Sequence, residues 1–472
     1  MIRTKSTLSL LALLLLVVPT ISAKIWLPSI LSDHMVIQRN SSTRIWGWTS
    51  APDETITVTG SWDNKPYQVK APQGKWSVAI ATPEAGGPYT ITIKGHETLI
   101  LKDVLVGEVW LCSGQSNMGW TPKMGLVNAE QEIKEANYPE IRFHSVQLQI
   151  SDHPQDNSVG KWEACTPESF SNFSSVAYFF GRKLYKELNV PIGLINSSWG
   201  GTNVEVWIPS SKMEGHTELQ NSINSIPDAP WWPKKPAVSF NAMIHPLVHH
   251  DIAGMIWYQG ESNRPNAEFY HQAFTMLAQS WRGFWKKDFP IYLAQIAPFN
   301  YGSKTGLEGA LVHEAQLKVS KTLPHSGLAV TNDIGDLKNI HPENKQDVGL
   351  RLAYWALAKN YGKKEIAYSG PVYKEMTVSK KKAIIHFDHA ANGLKSKGEV
   401  LTEFYIAGSD KKFYKANAKI KGSTVIVWHP DIKEPVAVRF AFSETALPNL
   451  YNVEGLPAPG FRTDDWEIQL AE

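Results

Sequence analysis

Between residues 105 and 362 one pattern recurs: a short apolar run, a knot of small polar residues, then a stretch with apolar residues at helical spacing. The apolar runs are "VLVGEVWLCSG", "VPIGLINSSWGG", "DIAGMIWYQGES" and "FPIYLAQIAP". The helical stretches include "SSVAYFFGRKLYKEL", "YHQAFTMLAQSWRGFW", "GALVHEAQLKVSKTL" and "NKQDVGLRLAYWALAKNYG". A strand with no polar face is covered on both sides, and strands alternating with helices build an α/β layer around a largely parallel sheet. This pattern limits the fold class more than any other feature of the chain.

The flanks read differently. Residues 24–104 hold short strand-like runs ("TRIWGWTS", "ETITVTGSW", "KWSVAIAT", "YTITIKG") separated by turn residues, as expected of a small β-sandwich module. Residues 366–472 return to strands ("KKAIIHFDH", "TEFYIAGSD", "STVIVWHP", "PVAVRFAFS") and form a second β-rich module. The central 105–365 is the expected catalytic domain, and 472 residues suffice for such a division. Residues 1–23 read as a signal peptide: Arg3 and Lys5, an apolar run from Leu8 to Val18, and a small residue at Ala23. The expected location is therefore periplasmic or extracellular. Cleavage removes two of the 47 basic residues and no acidic one, which brings them level with the 45 acidic residues. A balanced chain with no later membrane-length apolar segment implies neither nucleic acid nor a membrane as partner. Cys112 and Cys165 could pair in an exported protein; the reading adopted is two separate buried thiols.

Three apolar runs end in unusual knots: Gly114-Gln115-Ser116-Asn117, Ser198-Trp199-Gly200-Gly201-Thr202 and Gln259-Gly260-Glu261-Ser262-Asn263. In open α/β sheets ligands collect beyond the carboxyl ends of the strands, so the three loops can share one crevice. A serine on a strand-to-helix turn presents its hydroxyl beside a backbone N–H, and it needs a base to become a nucleophile. Among 15 histidines His341 stands out, in a polar loop before the last helix and held extended by Pro342. The N–H of Ser116, the N–H of Gly200 or Gly201, and the side-chain amide of Gln259 are the candidate donors to an oxyanion. His245, His249 and His250 cluster in "HPLVHH" without an accompanying carboxylate motif, so no metal or other cofactor is expected.

The blocks "LCSGQSNM", "GLINSSWGGTNVEVW", "FNAMIHPL", "IWYQGESN" and "DIGDLKNIHPENKQDVGLRLA" together resemble the sialate O-acetylesterase family of the SGNH (GDSL-like) hydrolase superfamily. "LPSILSDHMVIQRN" and "NLYNVEGLPAPGFRTD" extend the resemblance over nearly the whole mature chain. It implies an SGNH-type three-layer α/β/α catalytic domain and a serine carbohydrate esterase that removes acetyl groups from sugar hydroxyls. Under the resemblance Ser116 matches the nucleophile, His341 the base, and Gly200 or Gly201 with Gln259 the oxyanion positions. Gln115, Asn117, Trp199 and Glu261 would brace the site or contact substrate. Trp207 joins them as a pocket residue or as core.

One departure stands out. Many members of the superfamily carry Asp three residues before the catalytic histidine, and that position is Lys338. Asp336, then Asp333, is the nearest substitute for orienting the imidazole; a backbone carbonyl would leave a Ser–His dyad. The expected substrate is O-acetylated sialic acid. Acetylated xylan or xyloglucan would need the same chemistry, with Trp231 and Trp232 as candidate sugar platforms among the 18 tryptophans. A non-catalytic carbohydrate-binding protein would use the β-modules and tryptophans, but gives no reason for Ser116, Gly200, Gln259 and His341 to occur together.

Overall fold

The computed structural model describes residues 23–468. The expected signal peptide lies, but for Ala23, outside the described residues. The central sheet runs in the order Trp162–Cys165, Tyr138–Ser145, Ile192–Ser198, Thr98–Gly114, Gly254–Tyr258, Ile291–Ala294 and Ser326–Ala329. All of its neighbouring pairs are parallel except the edge strand Trp162–Cys165, which runs antiparallel. Alternate side chains explain the layers. Val109, Leu111, Met255 and Trp257 enter one core with Tyr270, Phe274, Leu277 and Trp281 of the Ala267–Trp285 helix. Trp110, Cys112, Ile256 and Tyr258 enter the other, with the Ser175–Leu188 and Lys345–Lys359 helices. This is the expected three-layer α/β/α arrangement.

Local chemistry starts the helices where the sequence has caps. The Ser174 hydroxyl accepts from the Ala177 N–H, and the Asn344 side chain accepts from the Asp347 N–H. The two cysteines sit apart as free, buried thiols, Cys112 in a central strand and Cys165 at the sheet edge.

The N-terminal strands form a sandwich, with Ile25–Trp26, Ser42–Thr49 and Lys75–Ala81 in one sheet. Its other sheet is not separate from the central layer. Thr98–Gly114 is one strand of 17 residues whose first half pairs with Gly86–Lys94 and whose second half lies at the centre of the main sheet. The division expected at 104/105 falls inside that strand. The C-terminal segment has its own core, with two four-stranded sheets. It packs on the central layer through the Arg462–Glu314 ion pair and the Ser303–Glu444 hydrogen bond. Among the described residues no helix is long and apolar enough to cross a membrane.

Candidate active site

The register brings the three polar knots together. Ser198 and Tyr258 both pair with Gly114, so three parallel strands end flush. Gly114 has φ +137°, and a Cβ there would lie 2.1 Å from the Tyr258 carbonyl oxygen. Only glycine allows the chain to leave the strand there. The loops are then tied to one another. The Trp199 N–H donates to the Gly114 carbonyl (3.0 Å), and the Gly260 N–H to the Gln115 side-chain carbonyl (3.2 Å). The Ser262 hydroxyl donates to the Gly201 carbonyl (2.8 Å).

Ser116 opens a one-turn helix directly after this strand end. Its Oγ lies 2.8 Å from Nε2 of His341, 225 positions away in sequence. The His341 N–H donates to Asn339 Oδ1 (2.9 Å), which shapes the loop that presents the imidazole. Trp120, the residue that closes the serine motif, stacks on His341 with centroids 4.0 Å apart and planes 14° apart. Its own indole N–H donates to the Gly125 carbonyl (2.9 Å), so the ring that holds the imidazole is itself held. Burial, then the nearby Lys345, bring the His341 imidazole down to about 4.

The cavity at this pair measures about 440 Å³ and is lined by Gln115, Ser116, Gly200, Gly201, Glu261 and His341. Ile226, Pro227, Trp231, Trp232, Ser262, Arg264, Pro265 and Ile340 complete its walls. Gly200 abuts the serine: a Cβ there would lie 3.2 Å from Ser116 Cβ. Gly201 has φ +78°, and a Cβ there would lie 2.2 Å from the Trp232 ring. The N–H groups of Ser116, Gly200 and Gly201 have no hydrogen-bond partner among the described residues.

The other residues singled out from the sequence lie as follows. Gln259 is fully buried, and its amide N–H₂ donates to the Thr202 carbonyl (3.2 Å) and to Asn263 Oδ1 (2.7 Å). It belongs to a polar cluster built around buried Glu205, with Asn263 and Asn266, and does not line the cavity. Asp336 is exposed and accepts the Lys338 N–H (2.8 Å) in an Asx turn. Asp333 makes a two-pronged ion pair with Arg351 (2.7 and 2.8 Å) and accepts from the Tyr451 hydroxyl. Neither aspartate is hydrogen-bonded to His341, because each is engaged by its own neighbours. Trp199 is not among the residues lining the cavity; its indole N–H donates to the Trp231 carbonyl (3.1 Å). Trp207 is core. His245, His249 and His250 face separate partners: the Gln155 carbonyl, the Trp46 ring and the Val36 carbonyl.

A buried chain of polar contacts lies under the Ser116–His341 pair. The Asn117 amide N–H₂ donates to Glu261 Oε1 (2.6 Å) and to the Ile340 carbonyl (3.1 Å). Its carbonyl accepts from the Lys345 ammonium. Burial pulls Lys345 down to about 7, with Glu261 opposing, and pushes Glu261 above the usual carboxylate range. Sequence reasoning missed both Lys345 and the role of Trp120. The available signals were the tryptophan closing the serine knot and a lysine four residues after the histidine, at the start of the next helix.

The chain is also similar to known proteins. A family model described as carbohydrate esterase, sialic acid-specific acetylesterase matches residues 106–358. The human protein named sialate O-acetylesterase is 32% identical over 400 residues, covering 76% of each chain. The mouse protein of that name is 32% identical over 411 residues, covering 74% of this chain and 76% of its own. The crystal structure of a carbohydrate acetylesterase from Xanthomonas citri superposes with a TM-score of 0.86 at 36% identity, covering 94% of this chain and all of that one.

Proposed function

Because the chain belongs to the sialic acid-specific acetylesterase family of carbohydrate esterases, and is thus a carboxylic ester hydrolase, we propose that Ser116 and His341 are its nucleophile and base in removing O-acetyl groups from sugars. The observation that carries this reading is the 2.8 Å contact between Ser116 Oγ and His341 Nε2 in the cavity. His341 takes the hydroxyl proton at Nε2 as Oγ bonds to the acetyl carbon. The oxyanion lies against the N–H groups of Ser116 and of Gly200 or Gly201; the Gln259 amide is engaged elsewhere. As the intermediate collapses, the carbon–sugar oxygen bond breaks and the imidazolium returns its proton to the leaving alkoxide. Water then attacks the acetyl-serine with His341 again as base, and Ser116 is restored as acetate leaves. No Asp or Glu oxygen lies within 4.0 Å of a His341 ring nitrogen among the described residues, so the pair works as a dyad with the Trp120 face behind it.

For substrate, the curated relatives' name points to O-acetylated sialic acid. A second reading, a neutral acetylated glycan such as xylan or xyloglucan, is favoured by the cavity's charges. Arg264 is engaged by Glu308 (3.0 Å), by the Glu261 carbonyl (3.0 Å) and by the Tyr301 ring face (3.6 Å). A sialate carboxylate would meet Glu261 and an arginine already paired. Trp231, 68% exposed, and Trp232 offer ring faces instead. The test is acetate release from 9-O-acetylated sialic acid and, in parallel, from acetylated xylan and xyloglucan oligosaccharides, with wild type and Ser116→Ala. Release from sialic acid alone supports the first substrate, and release from the plant glycans alone the second. Release that survives Ser116→Ala overturns the mechanism. Export, proposed from residues 1–23, is tested by whether the chain leaves the cytoplasm with that segment removed.

A further inference from the structure

Asn117 is a three-way junction. It is fully buried, and its one amide joins the serine loop to Glu261 of the third strand-end loop, to the backbone at Ile340, and to Lys345. Ile340 directly precedes His341, so the Asn117 N–H₂ holds the peptide from which the imidazole hangs. Lys345 is 1% exposed, and its hydrogen-bond partner among the described residues is Asn117. No carboxylate oxygen lies within 4.0 Å of its ammonium among the described residues. A buried lysine paired with an amide rather than a carboxylate is unusual, because burying a cation without a partner ion is costly.

The chemistry of the three groups gives the amide one orientation. An ammonium only donates, and an ionised carboxylate and a peptide carbonyl only accept. With Lys345 protonated and Glu261 ionised, the Asn117 carbonyl faces Lys345 and its N–H₂ faces Glu261 and Ile340. Turned over, the amide would set its oxygen against two acceptors and its N–H₂ against a cation. Lys345 also lies 5.8 Å from the ring centroid of Trp120, the indole that stacks on His341.

We propose that Lys345, acting through the Asn117 amide, is a positioning residue that holds His341 against Ser116, the task a carboxylate on Nδ1 performs in a Ser–His–Asp triad. The proposal rests on the Ser116–His341 reading above. It separates two effects of one side chain. As a donor, Lys345 fixes the amide and hence the Ile340–His341 backbone. As a cation, it opposes formation of the imidazolium. Of the other charged groups, Glu261 and Arg264 line the same cavity, and Asp336, Lys338 and Glu343 flank His341 in its own loop.

The test compares wild type, Lys345→Met and Lys345→Gln on p-nitrophenyl acetate across pH. Lys345→Met removes donor and charge. It is expected to lower kcat about 10²-fold with KM little changed, and to move the acid limb of kcat/KM upward in pH. Lys345→Gln keeps an N–H for the Asn117 carbonyl. It is expected to recover most of kcat while its acid limb stays displaced as in Lys345→Met. A kcat in Lys345→Gln as low as in Lys345→Met overturns the donor role. An unmoved limb in both overturns the charge role. If Lys345→Met does not fold, Lys345→Gln decides alone: a displaced limb with most of kcat kept supports the proposal, and an unmoved limb or a collapsed kcat overturns it. Ser116→Ala in the same assay separates the two levels. Activity that survives it sinks the Ser–His reading, whereas a dead Ser116→Ala beside unaffected Lys345 variants sinks the positioning role alone.

Discussion

Two of the cavities among the described residues invite comparison. One, about 440 Å³, lies at the strand ends around Ser116; the other, about 390 Å³, lies where the N-terminal sandwich meets the catalytic layer. Both are walled by tryptophan: Trp231 and Trp232 in the first, Trp46, Trp48 and Trp76 in the second. Both contain histidine. In the first, His341 faces a serine hydroxyl; in the second, His245 Nδ1 meets the Gln155 carbonyl (2.8 Å) and His249 packs edge-on to Trp46. Trp46 and Trp76 are 6% and 4% exposed, core residues that border a space. The difference follows from strand direction. Parallel strands deliver three carboxyl ends, with free N–H groups, to one place, whereas the Ser42–Thr49 and Lys75–Ala81 strands of the sandwich run antiparallel and bring no such set together. Aromatic lining and volume are therefore common to both cavities; a serine–histidine pair beside free N–H groups is found in the first.

The largest effect expected is at the first cavity. Ser116→Ala and His341→Ala each lower kcat for p-nitrophenyl acetate about 10⁴–10⁶-fold, and the double variant is no worse than the poorer single one. Losses that multiply would mean that the two residues act separately. Next comes the second cavity: Trp76→Ala lowers unfolding free energy in urea by about 3–5 kcal/mol while the folded enzyme keeps its kcat/KM. Full stability with lost turnover would give that cavity a part in the reaction. The pH profile is a smaller test. The base must be neutral, and the folded imidazole is held down to about 4, so kcat/KM falls as pH drops through about 4. A histidine with the ordinary value of about 6.5 would already have lost about 30-fold at pH 5. The smallest change is Asp336→Asn, expected to alter kcat by less than about threefold, whereas an aspartate that oriented the imidazole would be worth about 10⁴-fold.

Much of the architecture is legible in the sequence. The apolar runs ending at Gly114, Ser198 and Tyr258 read as buried strands because each has no polar face, and Ser116 and His341 stood out as polar residues in loops where the layout places reactive groups. Side-chain direction was not legible. Gln259 follows a strand end, like Gln115, but the buried carboxylate of Glu205 organises Asn263, which in turn takes the Gln259 amide. Asp336 is near His341 in sequence, yet the Lys338 N–H holds its carboxylate. Lys345 stands first in its helix, where a lysine usually meets solvent; packing alone buries it. The module boundary at 104/105 followed a change of composition, and the chain crosses it within one strand.

By itself the sequence determined the alternation of strands and helices, the glycines that let the chain turn at the strand ends, and a serine after a strand end and a histidine before a helix as the reactive candidates. These depend on residues within a few positions of one another. The tertiary structure alone decided which donors face the serine, that neither Asp336 nor Asp333 meets the imidazole, and that a lysine 228 positions from Asn117 shares its amide. The reason is competition: a buried amide or carboxylate turns toward whichever partner best satisfies it, and those partners come from distant parts of the chain.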